Sequence, residues 1–178
     1  MDGAAVQELL DKSEISEALL RYCRGIDRCD VELIRSAFHD TAVDDHGDNS
    51  MLAHEFAQNY VDRRREETLF AVHRVSNHLI EIEGDVAISE AYVFSIQQVR
   101  GEDATQFSAS RYLDRFEKRD GVWRIAYRLV VHDWHGSSTF GPWLLSTVDP
   151  SHFVPGVRGE ADVIIGGRDR LFPPKASS

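Results

Sequence analysis

Between Thr68 and Trp134 the chain carries four long runs of strand-type residues, roughly Leu69–Ile82, Val86–Val99, Gln106–Lys118 and Val122–Trp134. The breaks between them are turn signals: Glu83-Gly84-Asp85, Arg100-Gly101-Glu102-Asp103 and Asp120-Gly121. Asp-Gly between two such runs is a hairpin turn, because its backbone accepts the positive φ values a two-residue connection demands. Links this short join antiparallel neighbours, so the middle of the chain is committed to one mainly antiparallel sheet.

The first third has the other period. From Ala5 to about Arg24, Val6, Leu9, Leu10, Ile15, Ala18, Leu19 and Tyr22 recur at spacings of three and four, which makes one helical face. Ser13, Ser16 and Glu17 place a capping pattern inside this stretch and leave open one helix or two. Gly25 is a candidate stop. A short helix over Val31–Phe38, capped by Asp30, a short strand over Thr41–Gly47, a turn at Asp48-Asn49-Ser50 and a helix over Met51–Glu67 follow. Helices followed by a sheet predict an α+β fold in which the helices cover one face and the bent sheet curls around a pocket. Residues 1–135 form this domain. From Gly136 onward, glycine and proline recur (Gly141, Pro142, Pro150, Pro155, Gly156), and residues 136–178, with Trp143 and Phe153, are expected to be an irregular extension packed on the domain or a neighbouring subunit.

The 178 residues suit one core with room for a small-molecule pocket. A net charge of −10 argues against nucleic acid, which is held by clustered basic residues, and against a polybasic membrane surface. No apolar run approaches the roughly 20 residues that span a bilayer, and no signal peptide is visible at Met1–Leu10. Cys23 and Cys29 fit neither a disulfide framework nor a zinc spacing; they read as small buried apolar residues in a cytoplasmic protein.

Three places could carry chemistry: Tyr22-Cys23-Arg24-Gly25-Ile26-Asp27, Val72-His73-Arg74-Val75-Ser76-Asn77, and Arg128 with Val130 and His132. Strand alternation puts Arg128, Val130 and His132 on one face, and likewise Ser108, Ser110 and Tyr112. A His beside an Asp makes a general base near neutral pH: the carboxylate fixes the imidazole tautomer and stabilises the imidazolium that forms. Tyr92 and Phe94 are expected to be pocket wall.

These segments, with Asp120-Gly121-Val122-Trp123-Arg124-Ile125, resemble the SnoaL-like branch of the NTF2-like superfamily, which includes scytalone dehydratases, hexachlorocyclohexane dehydrochlorinases, bile-acid dehydratases and polyketide cyclases. The resemblance covers about residues 5 to 135. It implies a cone of helices on a strongly curved sheet, usually as a homodimer or homotrimer. It also implies that His73 is the general base and Asp27 its orienting carboxylate. Tyr22 matches a dehydratase tyrosine, and Arg128 the dehydrochlorinase arginine that helps hold the leaving group. Ser110 matches a pocket serine of the scytalone dehydratases; at Tyr112 those enzymes have an amide, and around Ile96 they carry a second ionisable residue. The implied activity is a cofactor-independent lyase or isomerase acting on a small, cyclic, apolar molecule, with Ser110, Tyr112 and His132 contacting it. The alternatives are a polyketide cyclase, or a non-catalytic binding module or small subunit of a ring-hydroxylating dioxygenase, since one fold hosts many functions.

Other candidates read as structural. His132 and His135, three apart on a strand, should face opposite ways, which speaks against a metal site. Arg63-Arg64-Arg65-Glu66-Glu67 reads as a solvated helix end. Gly166-Gly167 lacks the context of a phosphate loop. His46, beside Asp44 and Asp45, reads as a surface turn residue rather than one at the cavity mouth.

Overall fold

The computed structural model describes residues 2–139 and 156–162. The chain divides into two compact units, residues 1–139 and 140–178. Trp143, Phe153 and most of the expected irregular extension lie outside the described residues; within 156–162 there is a single 3-10 turn, Gly159–Ala161.

In the first unit, helix α1 runs unbroken from Gly3 to Arg28. Asp2 caps it by accepting from the Ala4 N–H at 3.1 Å. The apolar series Ile15, Ala18, Leu19, Tyr22 and Ile26 is buried along one face. It continues through Ser13–Glu17, so the inward stripe keeps one helix intact where local capping chemistry offered two. Gly25 does not end the helix either. It sits where α1 meets the next helix: a Cβ there would lie 2.6 Å from Ile34 Cγ1 and 2.8 Å from Ile34 N. The helix closes at Cys29, whose left-handed backbone (φ 54°) lets the chain reverse. Gly25→Ala is therefore expected to lose about 1–3 kcal/mol by overpacking, against a helix-propensity gain of about 1 kcal/mol. Chemical denaturation should show a net loss, and a gain would mean that α1 and α2 can separate freely.

Helix α2 spans Val31–Arg35, capped by Asp30 accepting from Leu33 N–H at 3.0 Å. It stops short of the expected Phe38 because that residue, fully buried, opens strand β1 (Phe38–Asp45) opposite Ile125. Strand β2 (Ser50–Leu52) pairs back on β1, which delays helix α3 to Ala53–Glu67. Strands β3 (Thr68–Glu83), β4 (Val86–Val99), β5 (Thr105–Arg119) and β6 (Val122–Ser138) match the four long runs, β6 extending four residues further through continued pairing with β5. The β5–β6 turn uses Asp120 and Gly121 at φ 52° and 79°.

The sheet order is β2-β1-β6-β5-β4-β3, antiparallel except where β1 runs parallel to β6. It is the curved α+β sheet of an NTF2-like cone, with helices on the inner face. The core lies between them, around Tyr22, Phe38, Phe116, Trp123 and Ile125. Among the described residues no helix is long and apolar enough to cross a membrane.

Two bulges in β6 decide which of its side chains face inward. Phe116 pairs with Ile125 and Arg115 with Tyr127, leaving Ala126 extra; Ser110 pairs with His132 and Ala109 with Trp134, leaving Asp133 extra. Each extra residue reverses the alternation that follows it. Ile125 and Arg128 thus both point inward. His132 and His135, expected on opposite faces, stand opposite Ser110 and Ser108 and so share one face. Even so, among the described residues no group of three or more metal-type ligands comes together.

Candidate active site

The inner face holds a cavity of about 180 Å³, bounded by α1, α3 and the strands. Tyr22 and Ile26 project from α1, one turn apart; Phe56, Tyr60 and Arg64 project from α3, each four residues after the last; His73, Val93, Ser108, Ser110, Tyr112, Val130 and His132 project from the sheet. These spacings follow from the periods of helix and strand.

Asp27, in the last turn of α1, meets His73 on β3. Asp27 Oδ1 is 2.6 Å from His73 Nδ1, and Oδ2 accepts from the His73 backbone N–H at 3.0 Å. A carboxylate can only accept, so Nδ1 carries the hydrogen and Nε2 is left as the basic nitrogen. The double grip fixes both the ring and the strand that carries it. Both side chains are mostly shielded, 13% exposed at His73 and 17% at Asp27, and His73 lines the cavity.

Around this pair the wall is mixed. Ser110 Oγ lies 3.1 Å from His132 Nδ1, and Ser95 Oγ lies 2.6 Å from Ser108 Oγ. Phe56, Val93 and Val130 supply apolar surface. Tyr22 and Tyr112 are buried, and burial, with the Asp44 charge as a further contribution at both, holds their hydroxyls well above the ordinary phenol range. They are hydrogen-bond donors, not phenolates. Burial likewise pushes the Cys23 thiol up to about 12, so it is no nucleophile, and Cys23 and Cys29 are both buried and unbridged.

Arg128 lies beneath this wall rather than in it. It is fully buried, donates to both Asp114 oxygens at 2.7 and 2.6 Å, and is clamped between the Tyr22 and Tyr112 rings, 4.1 and 4.2 Å from their centroids. Burial opposes its charge, but the Asp114 carboxylate outweighs that and holds it well above the usual guanidinium range. The residue expected to touch a leaving group instead fixes the two tyrosines that do line the cavity.

Tyr92 and Phe94 are not pocket wall. They flank buried Val93 on β4 and so point to the outer face, 44% and 39% exposed. Two residues that the sequence alone assigns to the surface line the cavity. Arg64 follows Phe56 and Tyr60 at helical spacing and lies over the Tyr60 ring at 5.4 Å; the spacing was the available signal, hidden by the flanking charges. His46 stacks on Phe56, with centroids 4.8 Å apart, and lines the cavity. Its signal was the alternation Ala42, Asp44, His46 along the first strand.

Comparison with known proteins agrees with this architecture. The family described as SnoaL-like domain matches residues 7–129. Among solved structures the chain is similar to a hexachlorocyclohexane dehydrochlorinase, LinA type 2, at 17% identity and TM-score 0.71, over 78% of this chain and 97% of that one. A protein of Novosphingobium aromaticivorans DSM 12444, provisionally named a scytalone dehydratase, is similar at 16% identity and TM-score 0.69, over 77% and 93%. A Mycobacterium tuberculosis protein of unknown function, Rv3472, is similar at 22% identity and TM-score 0.66, over 95% and 92%. No curated protein matches the sequence. At these identities the structural likeness speaks for the fold.

Proposed function

The chain belongs to the SnoaL-like domain family, and from that premise we propose that it is a cofactor-independent lyase or isomerase of the dehydratase kind. The observation that carries the reading is the 2.6 Å contact of Asp27 with His73 at the wall of a small cavity. His73 Nε2 removes a proton from a carbon activated by a neighbouring carbonyl, and Asp27 stabilises the imidazolium. The phenol of Tyr22 donates to the oxygen on which charge develops. Ser110, Tyr112 and His132 orient the substrate, and Phe56, Val93 and Val130 favour an apolar ring. A dehydrochlorinase among the similar structures supports elimination as the outcome.

The experiment is deuterium uptake from D2O into a panel of cyclic ketones and β-hydroxyketones, followed by NMR together with product formation. Exchange at the carbon next to the carbonyl is expected with the wild-type chain and not with His73→Ala. A folded wild-type protein that exchanges no member of the panel would move the reading to a non-catalytic binding module.

A further inference from the structure

We propose that His46 is the proton donor to the leaving group, held in place by Asp44, so that the cavity contains a second His–Asp pair with the opposite role to His73–Asp27. This rests on the proposed elimination and adds the group that completes it.

Asp44 is fully buried, and neither of its carboxylate oxygens has a hydrogen-bond partner among the described residues. Its nearest charge partner is His46, whose Nε2 lies 3.0 Å from Oδ1 in an ionic contact without hydrogen-bond alignment. Parallel pairing of β1 with β6 sets Asp44 beside Arg128. Arg128, however, is already engaged by Asp114 through Nε and Nη2. This buried group therefore holds two carboxylates against one guanidinium. A buried carboxylate without a counter-charge is costly, and the ring of His46, a cation whenever it holds a second proton, is the side chain in contact with it.

The ring is also built into the cavity. It stacks on Phe56 at 17° between planes, its side chain is 23% exposed, and it shares the cavity with His73. With Nε2 turned to Asp44, Nδ1 is the nitrogen left for a ligand. In the elimination, His73 Nε2 takes the proton from carbon, that electron pair forms the C=C bond, and the C–O bond breaks. The oxygen leaves as water with the proton from His46 Nδ1. His73 ends protonated and His46 neutral, and solvent restores both.

A leaving group that departs readily as an anion needs no such donor, which gives the test. The full-length chain is assayed with 3-hydroxycyclohexanone and 3-chlorocyclohexanone, following 2-cyclohexenone formation above the uncatalysed rate and deuterium uptake at carbon 2. His46→Gln is expected to slow loss of water by about 10²–10⁴-fold and to slow loss of chloride and deuterium uptake far less, so that the ratio of water loss to chloride loss falls by at least about tenfold. Asp44→Asn, a positioning change, is expected to show the same split to a smaller degree, and His46→Phe, which keeps the stack on Phe56, to match His46→Gln. Equal losses with both compounds, or none, would overturn the donor role. Absence of deuterium uptake with the wild-type chain would overturn the His73 reading, and the donor role with it. That failure is seen without any variant and is thereby distinguished.

Discussion

His73→Ala is expected to abolish proton abstraction, lowering turnover by on the order of 10²–10⁴-fold, the usual contribution of a positioned general base. The fold should survive, because the lost ring sits at a cavity wall and its backbone N–H still donates to Asp27 Oδ2. Asp27→Asn should be nearly as damaging for a different reason. The amide can turn its oxygen to the ring or to the His73 N–H, but it carries no charge to stabilise the imidazolium. Steady-state rates on a substrate found in the deuterium screen, paired with thermal melts, check both. A His73→Ala protein with wild-type turnover would remove the base from the mechanism.

Arg128→Met is expected to be the most destabilising single change, by about 3–5 kcal/mol, because it leaves Asp114 buried with a charge and no partner. At roughly 2–4 °C per kcal/mol for a chain of this size, the melting temperature should fall by on the order of 10 °C. Part of the loss is the clamp between Tyr22 and Tyr112, since a desolvated guanidinium over an aromatic face contributes about 2 kcal/mol. The double change Arg128→Met with Asp114→Leu should recover much of the stability, because replacing both charges leaves neither stranded. Were Arg128→Met to keep its melting temperature and lose only activity, a direct contact with the leaving group would be the better account.

The long strands were legible because alternation and turn chemistry coincide there: Asp120-Gly121 both permits the turn and falls between two strand-period runs. The helix ends were less so. Phe38 continues an apolar helical series, and only its pairing with Ile125 assigns it to a strand. At the site, the meeting of Asp27 with His73, 46 residues apart, followed from resemblance to a family rather than from spacing. Tyr92 and Phe94 were misplaced because a chain of alternating residues does not say which set faces the helices. Here the small residues Ala87 and Ala91 and buried Val93 do, and the large aromatics face out. His46 and Arg64 were obscured by charged neighbours that solvate one side of an element while the other side turns inward.

The extra residues Ala126 and Asp133 carry no glycine or proline to announce them, yet they set which side chains of β6 share the inner face. Removing Asp133 alone would let the ladder close without turning anything over, because Trp134 would still stand opposite Ala109 and His135 opposite Ser108. The hairpin and the sheet order would be untouched. A bulge is thus a place where such a scaffold can take up or lose one residue of strand length while the functional groups on either side of it keep their facing. A protein lacking Asp133 should fold with the same strand order and keep His132 and His135 on one face, which a crystal structure of the deletion would check.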